Sequence, residues 1–244
     1  MLKKLLCLSV FYGLLVTTVH GEEKTTAPIM VKPFIANYTI IHKSKSVGTA
    51  TRELKKLDNG LFEYSYQTSI EWLIFNDDRK ETSLVEISGD HVTPVDYHYT
   101  REGTGRDKSS HWQFDIDAST ATNVEKNKSF TIEFPSNVQD SLSYHLQHRF
   151  NLIKHPEQKL FVYPVIKNED QIKNYVYQYD GEEELMLPYG LVKTIKLKRE
   201  VVEKKRVTYA WFAPELDYLL VKLYQAKGGV EQFEAQLNTV TVTE

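Results

Sequence analysis

Cysteine is almost absent from this chain, since one residue, Cys7, occurs among 244. A single cysteine forms no internal disulfide and supplies no cluster for zinc or an iron–sulfur centre. A basic block is absent as well, because 30 Lys and Arg are interspersed with 33 Asp and Glu. This charge pattern argues against nucleic acid as a partner. Beyond the first 21 residues, no apolar run approaches the roughly 20 residues that a membrane-spanning helix needs.

Residues 1–21 have the parts of a secretory signal peptide. Two lysines precede a 12-residue apolar stretch over 5–16, and residues 19–21 fit a cleavage site. Cys7 begins this stretch instead of ending it, so we do not expect lipid attachment. A short leader with paired lysines is typical of bacterial export, and we therefore predict a periplasmic protein.

Removal of the signal peptide leaves 223 residues without cysteine and with a net charge of −5, from 28 basic and 33 acidic side chains. Residues 22–32 are polar, and we expect them to form a flexible lead-in. Residues 33–244 contain no internal repeat, low-complexity stretch or shift in composition. The sequence therefore predicts a single β-rich domain over 33–244.

The dominant hydrophobic period after Pro33 is two. The clearest strand covers 61–74, where six apolar side chains alternate with five polar ones. Shorter segments of the same kind recur along the chain. Turn signals separate them at 58–60, 76–78, 88–90, 180–181 and 228–229. The pattern predicts a mainly β fold, an antiparallel meander of about a dozen long strands curled into an open or half barrel.

One segment, 137–154, predicts the principal α-helix. Pro135 precedes it and Pro156 follows it, and Asp140 or Ser141 can cap its N-terminus. Its apolar side chains recur at intervals of four, four and three, and they form one stripe composed of Leu142, Leu146, Phe150 and Ile153. A lone helix among strands has to bury that stripe. We expect it to pack on the sheet or to cap one end of it.

Histidine and carboxylate pairs are the main candidates for catalysis. His145 and His148 flank the apolar stripe, so we expect them at the solvent or at an interface and not around a metal. Ser141 lies four residues before His145, but no third orienting group and no Gly-x-Ser-x-Gly elbow is recognisable. Asp115 and Asp117 share the polar face of one predicted strand, without a calcium-binding loop. A His/Asp-dependent hydrolase is thus the less favoured alternative, and we predict no metal and no cofactor.

Aromatic side chains are the most informative group, with 15 Tyr in the chain. Many occupy the apolar positions of successive predicted strands. They form either a packed core or the lining of a groove for an apolar or amphiphilic ligand. Tyrosine favours a partly hydrated interior, because its hydroxyl needs a polar partner when buried. The candidate ligand-binding face consists of Tyr64, Tyr66, Trp72, Tyr97, Tyr99, Trp112 and Phe114.

Five short motifs occur in order over about 33–240. They are Pro33-Phe34-Ile35-Ala36-Asn37-Tyr38 with a following Gly48, Pro94-Val95-Asp96-Tyr97, Asp140-Ser141-Leu142-Ser143, Leu187-Pro188-Tyr189-Gly190, and Trp211-Phe212-Ala213-Pro214-Glu215-Leu216-Asp217-Tyr218. By these motifs the chain resembles a family of secreted proteobacterial proteins known as a domain of unknown function. It departs from the family at Leu220, where members often carry proline. The resemblance implies a periplasmic β-rich protein and carries no established catalytic residues.

The predicted architecture also looks like that of the periplasmic half-barrel lipoprotein carriers, in which helices cover a curved antiparallel sheet. This is an architectural analogy. Our leading hypothesis is a non-enzymatic periplasmic protein that binds or chaperones an apolar or amphiphilic envelope component, such as a lipid. An envelope assembly module that pairs with a protein partner through a sheet edge is the second. The carrier hypothesis requires an inner face that is not filled by the protein's own side chains.

Overall fold

A computed structural model describes residues 31–166 and 171–243 of the chain. The predicted signal peptide, 1–21, and most of the predicted lead-in, 22–30, lie outside the described residues. Val31, at the end of that lead-in, is buried in the core.

The described residues form fourteen strands and one α-helix. The strands are β1 (Phe34–His42), β2 (Lys45–Lys56), β3 (Phe62–Trp72), β4 (Phe75–Ser88), β5 (His91–Gly103), β6 (Lys108–Asp115), β7 (Thr120–Asn123), β8 (Lys128–Thr131), β9 (Leu160–Ile166), β10 (Ile172–Leu187), β11 (Gly190–Val201), β12 (Arg206–Ala213), β13 (Leu219–Lys227) and β14 (Val230–Val242). The helix α1 covers Ser143–Lys154. Two single-turn 3₁₀ helices, Val202–Lys204 and Pro214–Leu216, connect strands.

All fourteen strands belong to one antiparallel sheet, which confirms the predicted meander. The first strand of the chain, β1, pairs with the last, β14, and also with β2. The two ends of the chain therefore meet in the middle of the sheet. On one side follow β3 to β8, and on the other β13 down to β9. Within the described residues β8 and β9 do not pair, so the sheet curls but does not close.

Two predicted turns lie elsewhere in the structure. The turn predicted at 76–78 belongs to β4, and the chain reverses earlier, at Leu73 and Ile74. Asp180-Gly181 does not end a strand either, since it forms an irregularity inside the 16-residue β10. In both cases residues with high turn propensity are held in the ladder by cross-strand pairing, which outweighs local preference.

The helix begins at Ser143, six residues later than predicted. Asp140 provides the cap, since its Oδ1 accepts the backbone N–H groups of Leu142 and Ser143, each at 2.7 Å. Ser143 Oγ in turn accepts the backbone N–H of Asp140 at 2.9 Å. This reciprocal arrangement satisfies donors at the start of the helix. None of the helices among residues 31–166 and 171–243 is long and apolar enough to cross a bilayer.

The helix lies against the concave face of the sheet, and its sides pack on different parts of it. Leu142, Leu146 and Phe150 of the predicted stripe enter the main core with β1, β2 and β3. Tyr144 and Leu152, on another side, enter a second core with β9 to β13. The helix therefore fills the space that the curled sheet encloses at this level.

A third core cluster joins the two edges of the sheet. It brings Trp112, Phe114 and Ala121, from the β6–β7 side, together with Ile166 of β9. Between them lies the segment before the helix, which contributes Val138. The neighbouring Gln139 donates its backbone N–H to the carbonyl of Pro164 at 2.9 Å and accepts that of Ile166 at 2.9 Å. This connection, which we call the seam, completes the barrel-like shape without strand pairing.

Candidate functional site

The aromatic residues singled out in the sequence share the concave face of the sheet. Cross-strand pairing aligns Tyr64, Tyr97 and Trp112 in one row, level with the helix. Tyr66 and Tyr99 belong to the next row away from the helix. Trp72 lies at the tip of the β3–β4 hairpin, and Phe114 lies in the seam. The seven residues thus share a face but not one environment.

Beneath the helix this face is filled. Tyr64, Trp112 and Phe114 are buried in the core clusters. Two small cavities remain in this part, each with room for about 10 Å³, which is the size of one water molecule. Neither of these two cavities can hold an acyl chain. These three aromatic residues serve the packing of the protein.

Beyond the helix the same face opens to solvent, and we call this part the open floor. Its residues come from the next rows of β3, β4 and β5 and are partly exposed. They are Tyr66, Ile70, Asp77, Arg79, Glu81, Tyr99 and Arg101. The open floor combines aromatic rings, an aliphatic side chain and both signs of charge, with the helix forming its far wall.

A buried arginine marks the boundary between the filled part and the open floor. Arg52 is 6 % exposed, and its guanidinium lies 4.5 Å from the centre of the Tyr66 ring. It donates a hydrogen bond to the Tyr64 hydroxyl at 3.0 Å. Among the described residues no carboxylate lies within ion-pair distance of it. Arginine stays protonated in proteins, so Arg52 is a buried positive charge that aromatic groups alone stabilise.

Further out, two arginines share one carboxylate. Arg79 and Arg101 both contact Asp77, with an Arg101 Nη2 to Asp77 Oδ2 distance of 2.6 Å. These hydrogen bonds hold the pKa of Asp77 below its usual range, against the opposing effect of desolvation. In the open floor the two arginines are matched by two carboxylates, Asp77 and Glu81, so the net positive charge of this region comes from Arg52. With Arg52 behind it, the open floor attracts anionic groups.

Sequence reasoning missed these arginines although the pattern contained them. Arg52 occupies an inward position of the alternating 45–56 segment, and Arg79 and Arg101 pair in register with Thr68 and with each other. The alternation is recognised from its apolar side chains, so a charged residue in phase with them gives no signal of its own. Strand register supplies that signal, because cross-strand neighbours share a face.

Of the two helix histidines, His148 lies inside the protein and His145 is half-buried, which corrects the expectation that both flank the stripe near solvent. His148 is 2 % exposed, and the rings of Phe161, Tyr163, Tyr177 and Phe212 surround it at centroid distances of 4.9–5.2 Å. Neither ring nitrogen has a hydrogen-bond partner. Burial lowers the pKa of His148 to about 3. The imidazole is therefore neutral but a very weak base, and its burial keeps it out of reach of a substrate.

His145, one turn earlier, is half-buried, and burial lowers its pKa well below the usual value. The nearby positive charge of Arg52 acts in the same direction. Asp140 shows the opposite shift, because burial raises its pKa to about 6 in spite of the hydrogen bond from Ser83. These shifts come from the packing of the helix in the concave face.

The proposed carboxylate face at Asp115 and Asp117 is not formed. Strand β6 ends at Asp115, and Asp117 lies in the following turn. Asp115 Oδ1 accepts the backbone N–H of Ala118 at 2.8 Å and so stabilises that turn. Among residues 31–166 and 171–243, no three His, Cys, Asp or Glu side chains lie together in a group that could hold a metal ion.

A wider cavity lies on the opposite, convex face of the sheet. It has a volume of about 340 Å³, is open to solvent and follows β2 to β5. Polar side chains line it, among them Thr51, Gln67, Lys80 and Thr100, which stand in one cross-strand row. No apolar wall is available there for an acyl chain.

Comparison with solved structures identifies the fold. A β-barrel-like protein of Brucella abortus, a domain of unknown function called DUF1849, superposes with a TM-score of 0.58 at 10% sequence identity, covering 88% of this chain and 100% of the other. A structure from Bacteroides fragilis with a YmcC-like fold covers 86% of this chain and 96% of the other at 10% identity, but its TM-score of 0.35 is too low to support an argument.

No curated protein matches the sequence. A family model does match, over residues 37–231, from β1 into β14, so it covers most of the sheet together with the helix and the arginine-bearing face. The chain therefore belongs to the family described as protein of unknown function DUF3108.

Proposed function

We propose that this protein is a non-catalytic binding protein of the bacterial periplasm, and that its ligand is an amphiphile with an anionic headgroup. The observation that carries the proposal is the open floor, where Tyr66, Ile70 and Tyr99 lie beside Arg79 and Arg101, with the buried Arg52 behind them. The predicted signal peptide supports the location. An amphiphilic component of the cell envelope has both an apolar part, which suits the aromatic and aliphatic side chains, and a headgroup, which suits the arginines.

The position of the charges favours an anionic headgroup over an uncharged one. Arg79 and Arg101 are partly exposed and already hold one carboxylate, Asp77, between them. A second carboxylate or a phosphate can bind to the donors that Asp77 leaves free, since guanidinium groups bind such anions with two parallel hydrogen bonds. Arg52, deeper in the same face, adds to the positive potential.

The apolar part of the ligand has to lie along the floor and not inside the protein. The cavities beside Arg52 hold about one water molecule each, so a buried acyl chain would require the helix to move. The rings of Tyr66 and Tyr99 and the side chain of Ile70 provide a partly exposed apolar strip instead. Surfaces of this kind bind amphiphiles with moderate affinity, because part of the chain stays in water.

Calorimetric titration with oleate and with oleyl alcohol tests the proposal. We expect oleate to bind and the alcohol, which has the same chain without the charge, to bind about tenfold more weakly or worse. Arg101→Gln should reduce the affinity for oleate and leave that for the alcohol unchanged. Lys80→Gln, on the same sheet but on the convex face, is the matched control. Equal affinity for both compounds, or no binding of either, would contradict the proposal.

The two alternatives from the sequence receive less support. A hydrolase would need an accessible and sufficiently strong base, whereas His148 is enclosed by rings and the lowered pKa of His145 makes it a weak base. Pairing through a sheet edge would need a long free strand, whereas β8 has four residues and Gln139 occupies part of the β9 edge.

A further inference from the structure

The turn between β3 and β4 presents four large apolar side chains to solvent. Trp72 and Phe75 form the last cross-strand pair, and Leu73 and Ile74 are the two turn residues. The exposed fraction is 87% for Leu73, 85% for Ile74, 55% for Phe75 and 41% for Trp72. Scattered single apolar residues are normal on a protein surface, but four consecutive ones at the end of a projecting hairpin are not.

The residues of this turn are unsuited to its backbone. Leu73 has a φ of +56°, a region that glycine and asparagine adopt readily and that a leucine enters at an energetic penalty. The equivalent turn between β13 and β14 uses Gly228 and Gly229, as two-residue hairpins usually do. Turn formation therefore does not explain Leu73 and Ile74. A function for the exposed side chains does.

The base of the tip is tied to neighbouring strands in spite of the exposure of the tip. Asn76 donates its backbone N–H to Thr104 Oγ1 at 3.1 Å, and Thr104 donates its own to the Asn76 carbonyl at 2.8 Å. Close approach of the two strands depends on Gly103, where a Cβ would lie 2.4 Å from the Asn76 oxygen. On the other side the Trp72 ring contacts His42, with ring centroids 4.9 Å apart.

The tip is part of a continuous rim of hairpin turns. Lys43, in the β1–β2 turn, donates its backbone N–H to a Glu231 carboxylate oxygen of β14 at 2.7 Å. Gly228, in the β13–β14 turn, donates to the carbonyl of Lys205 in the β11–β12 turn at 2.7 Å. Among the described residues, five turns thus lie along one rim: β1–β2, β3–β4, β5–β6, β11–β12 and β13–β14. Exposed valines lie in or beside two of them, Val202 and Val230.

This rim is basic. The five turns, taken with the strand residue on either side of each, contain eight basic and two acidic side chains. The basic ones are Lys43, Lys45, Lys108, Lys204, Lys205, Lys227, Arg106 and Arg206. In the described part of the chain none of the eight forms an ion pair. The next carboxylates, such as those of Glu71, Glu102 and Glu231, belong to residues one position further from the turns, and that of Glu231 accepts the backbone N–H of Lys43.

We propose that this rim docks on the surface of a bilayer that contains anionic lipids. In this arrangement Leu73 and Ile74 enter the boundary between headgroups and acyl chains, and Trp72 lies at headgroup level, where tryptophan is enriched in membrane proteins. The unpaired lysines and arginines face the lipid phosphates and supply the electrostatic part of the attraction.

A bilayer fits this surface better than a protein partner or a second copy of the chain. Four side chains, two of them about half exposed, offer well under the roughly 800 Å² per partner of a stable protein interface. The tip is also convex and narrow, so it cannot form a flat interface with its own copy. A membrane surface accepts a projecting apolar tip of this size. The proposal does not depend on the open floor.

Binding of residues 22–244 to phospholipid vesicles tests the proposal. This chain omits the predicted signal peptide, whose apolar stretch would itself enter membranes, and it contains every strand and helix described. We expect co-sedimentation with vesicles of phosphatidylethanolamine and phosphatidylglycerol, weakening as salt is raised, and little binding to phosphatidylcholine alone. The emission of Trp72 should shift to shorter wavelength, whereas Trp112 and Trp211 are already buried.

The decisive variant is Leu73→Gly with Ile74→Asn, which gives the hairpin a turn suited to a positive φ at its first residue. It should unfold at a temperature no lower than the parent and partition into vesicles about tenfold less or worse. Lys43→Gln with Lys45→Gln should weaken binding to the anionic vesicles alone. The control, Met186→Ser with Leu191→Ser, removes exposed apolar side chains from the β10–β11 hairpin at the other end of the sheet and should leave binding unchanged.

Three results would overturn the proposal. One is a parent protein that binds neither kind of vesicle. Another is equal loss of binding in the tip variant and in the Met186/Leu191 control, which would indicate unspecific adsorption. The third is tip-dependent dimerisation in sedimentation velocity without vesicle binding, which would assign the tip to a second copy of the chain.

Discussion

At the scale of single residues, the concave face of this protein holds ionisable groups away from water without ion-pair partners. His148 is the clearest case, because four aromatic rings surround it and neither nitrogen is hydrogen-bonded. Leaving a buried polar group without partners costs about 1–3 kcal/mol. Such a residue weakens the fold at neutral pH and makes it sensitive to acid.

We predict that His148→Phe reduces the loss of stability on acidification. The pKa of His148 is about 3 in the folded protein, and an unfolded histidine titrates near 6.5. A depressed folded-state pKa gives stability that is complete above about pH 6.5 and is lost as the pH falls toward 3. Between pH 7 and 5 this group alone accounts for about 2 kcal/mol. Urea unfolding of both proteins at these two pH values measures it.

Asp140 opposes this effect, because its folded-state pKa of about 6 lies above the unfolded value. Its contribution to stability therefore decreases as the pH rises from about 4 to 6. If the free energy of unfolding falls between pH 7 and pH 5 by the same amount in His148→Phe as in the parent protein, other groups dominate the acid response.

The carboxylate of Asp140 is predicted to matter mainly through its hydrogen bonds. Asp140→Ala removes the acceptor for two backbone N–H groups and for Ser83, and should destabilise the protein by about 2–4 kcal/mol. Asp140→Asn keeps an acceptor and removes the buried charge, so it should cost much less. Thermal unfolding of the two variants distinguishes these roles. Equal destabilisation would contradict the assignment.

At the scale of elements, strand pairing determines most of the structure. Gly48 shows how close two paired backbones come. In β2, a Cβ at Gly48 would lie 2.1 Å from the Ser69 carbonyl oxygen of β3. This close approach gives a physical reason for the glycine that follows the Pro-Phe-x-Ala-x-Tyr motif. Since neither backbone can move far within the sheet, the position excludes any side chain.

Gly48→Ala is therefore expected to destabilise the protein by more than about 2 kcal/mol. Gly105→Ala serves as the control, since its Cβ would meet open space and its cost comes only from a φ of +119°. The free energy of unfolding from denaturant titration compares them. A smaller loss at Gly48 than at Gly105 would show that β2 and β3 can separate locally.

At the scale of the whole molecule, the two edges of the sheet depend on the seam. Phe114 packs with Trp112, Val138 and Ile166, so its removal loosens residues far apart in the sequence. We expect Phe114→Ala to cost about 3–5 kcal/mol and to accelerate amide hydrogen exchange in both β7 and β9. Acceleration in β7 alone would show that the seam does not couple the edges. Tyr99→Ala, on the open floor, should cost less.

The sequence predicted correctly those features that arise from local interactions, and it missed those that arise from contacts between distant residues. Alternation over 61–74 predicted β3 closely, and the spacing of Leu142, Leu146 and Phe150 predicted the buried side of the helix. The sequence also predicts helix over 137–142, whereas the helix begins at Ser143. In the structure Gln139 is instead bonded to β9, a contact that no local pattern contains. The burial of His148 was missed for the same reason.

The candidate site divides in the same way. The shared face of the seven aromatic residues follows from period two, which the sequence shows directly. Whether each of them is core or surface depends on where the helix lies over that face, and this the sequence does not contain. Trp112 is therefore a core residue, whereas Tyr99 borders solvent.

The sequence by itself determined the class of fold, the composition of the sheet faces and the place of the helix along the chain, because periodicity and capping act over a few residues. The tertiary structure decided the pairing of β1 with β14, the seam, the environment of Arg52 and the exposure of the Leu73–Ile74 tip. These depend on contacts between residues up to about two hundred positions apart, as in Asn37 to Thr239, and burial at such distances is set by the curl of the sheet.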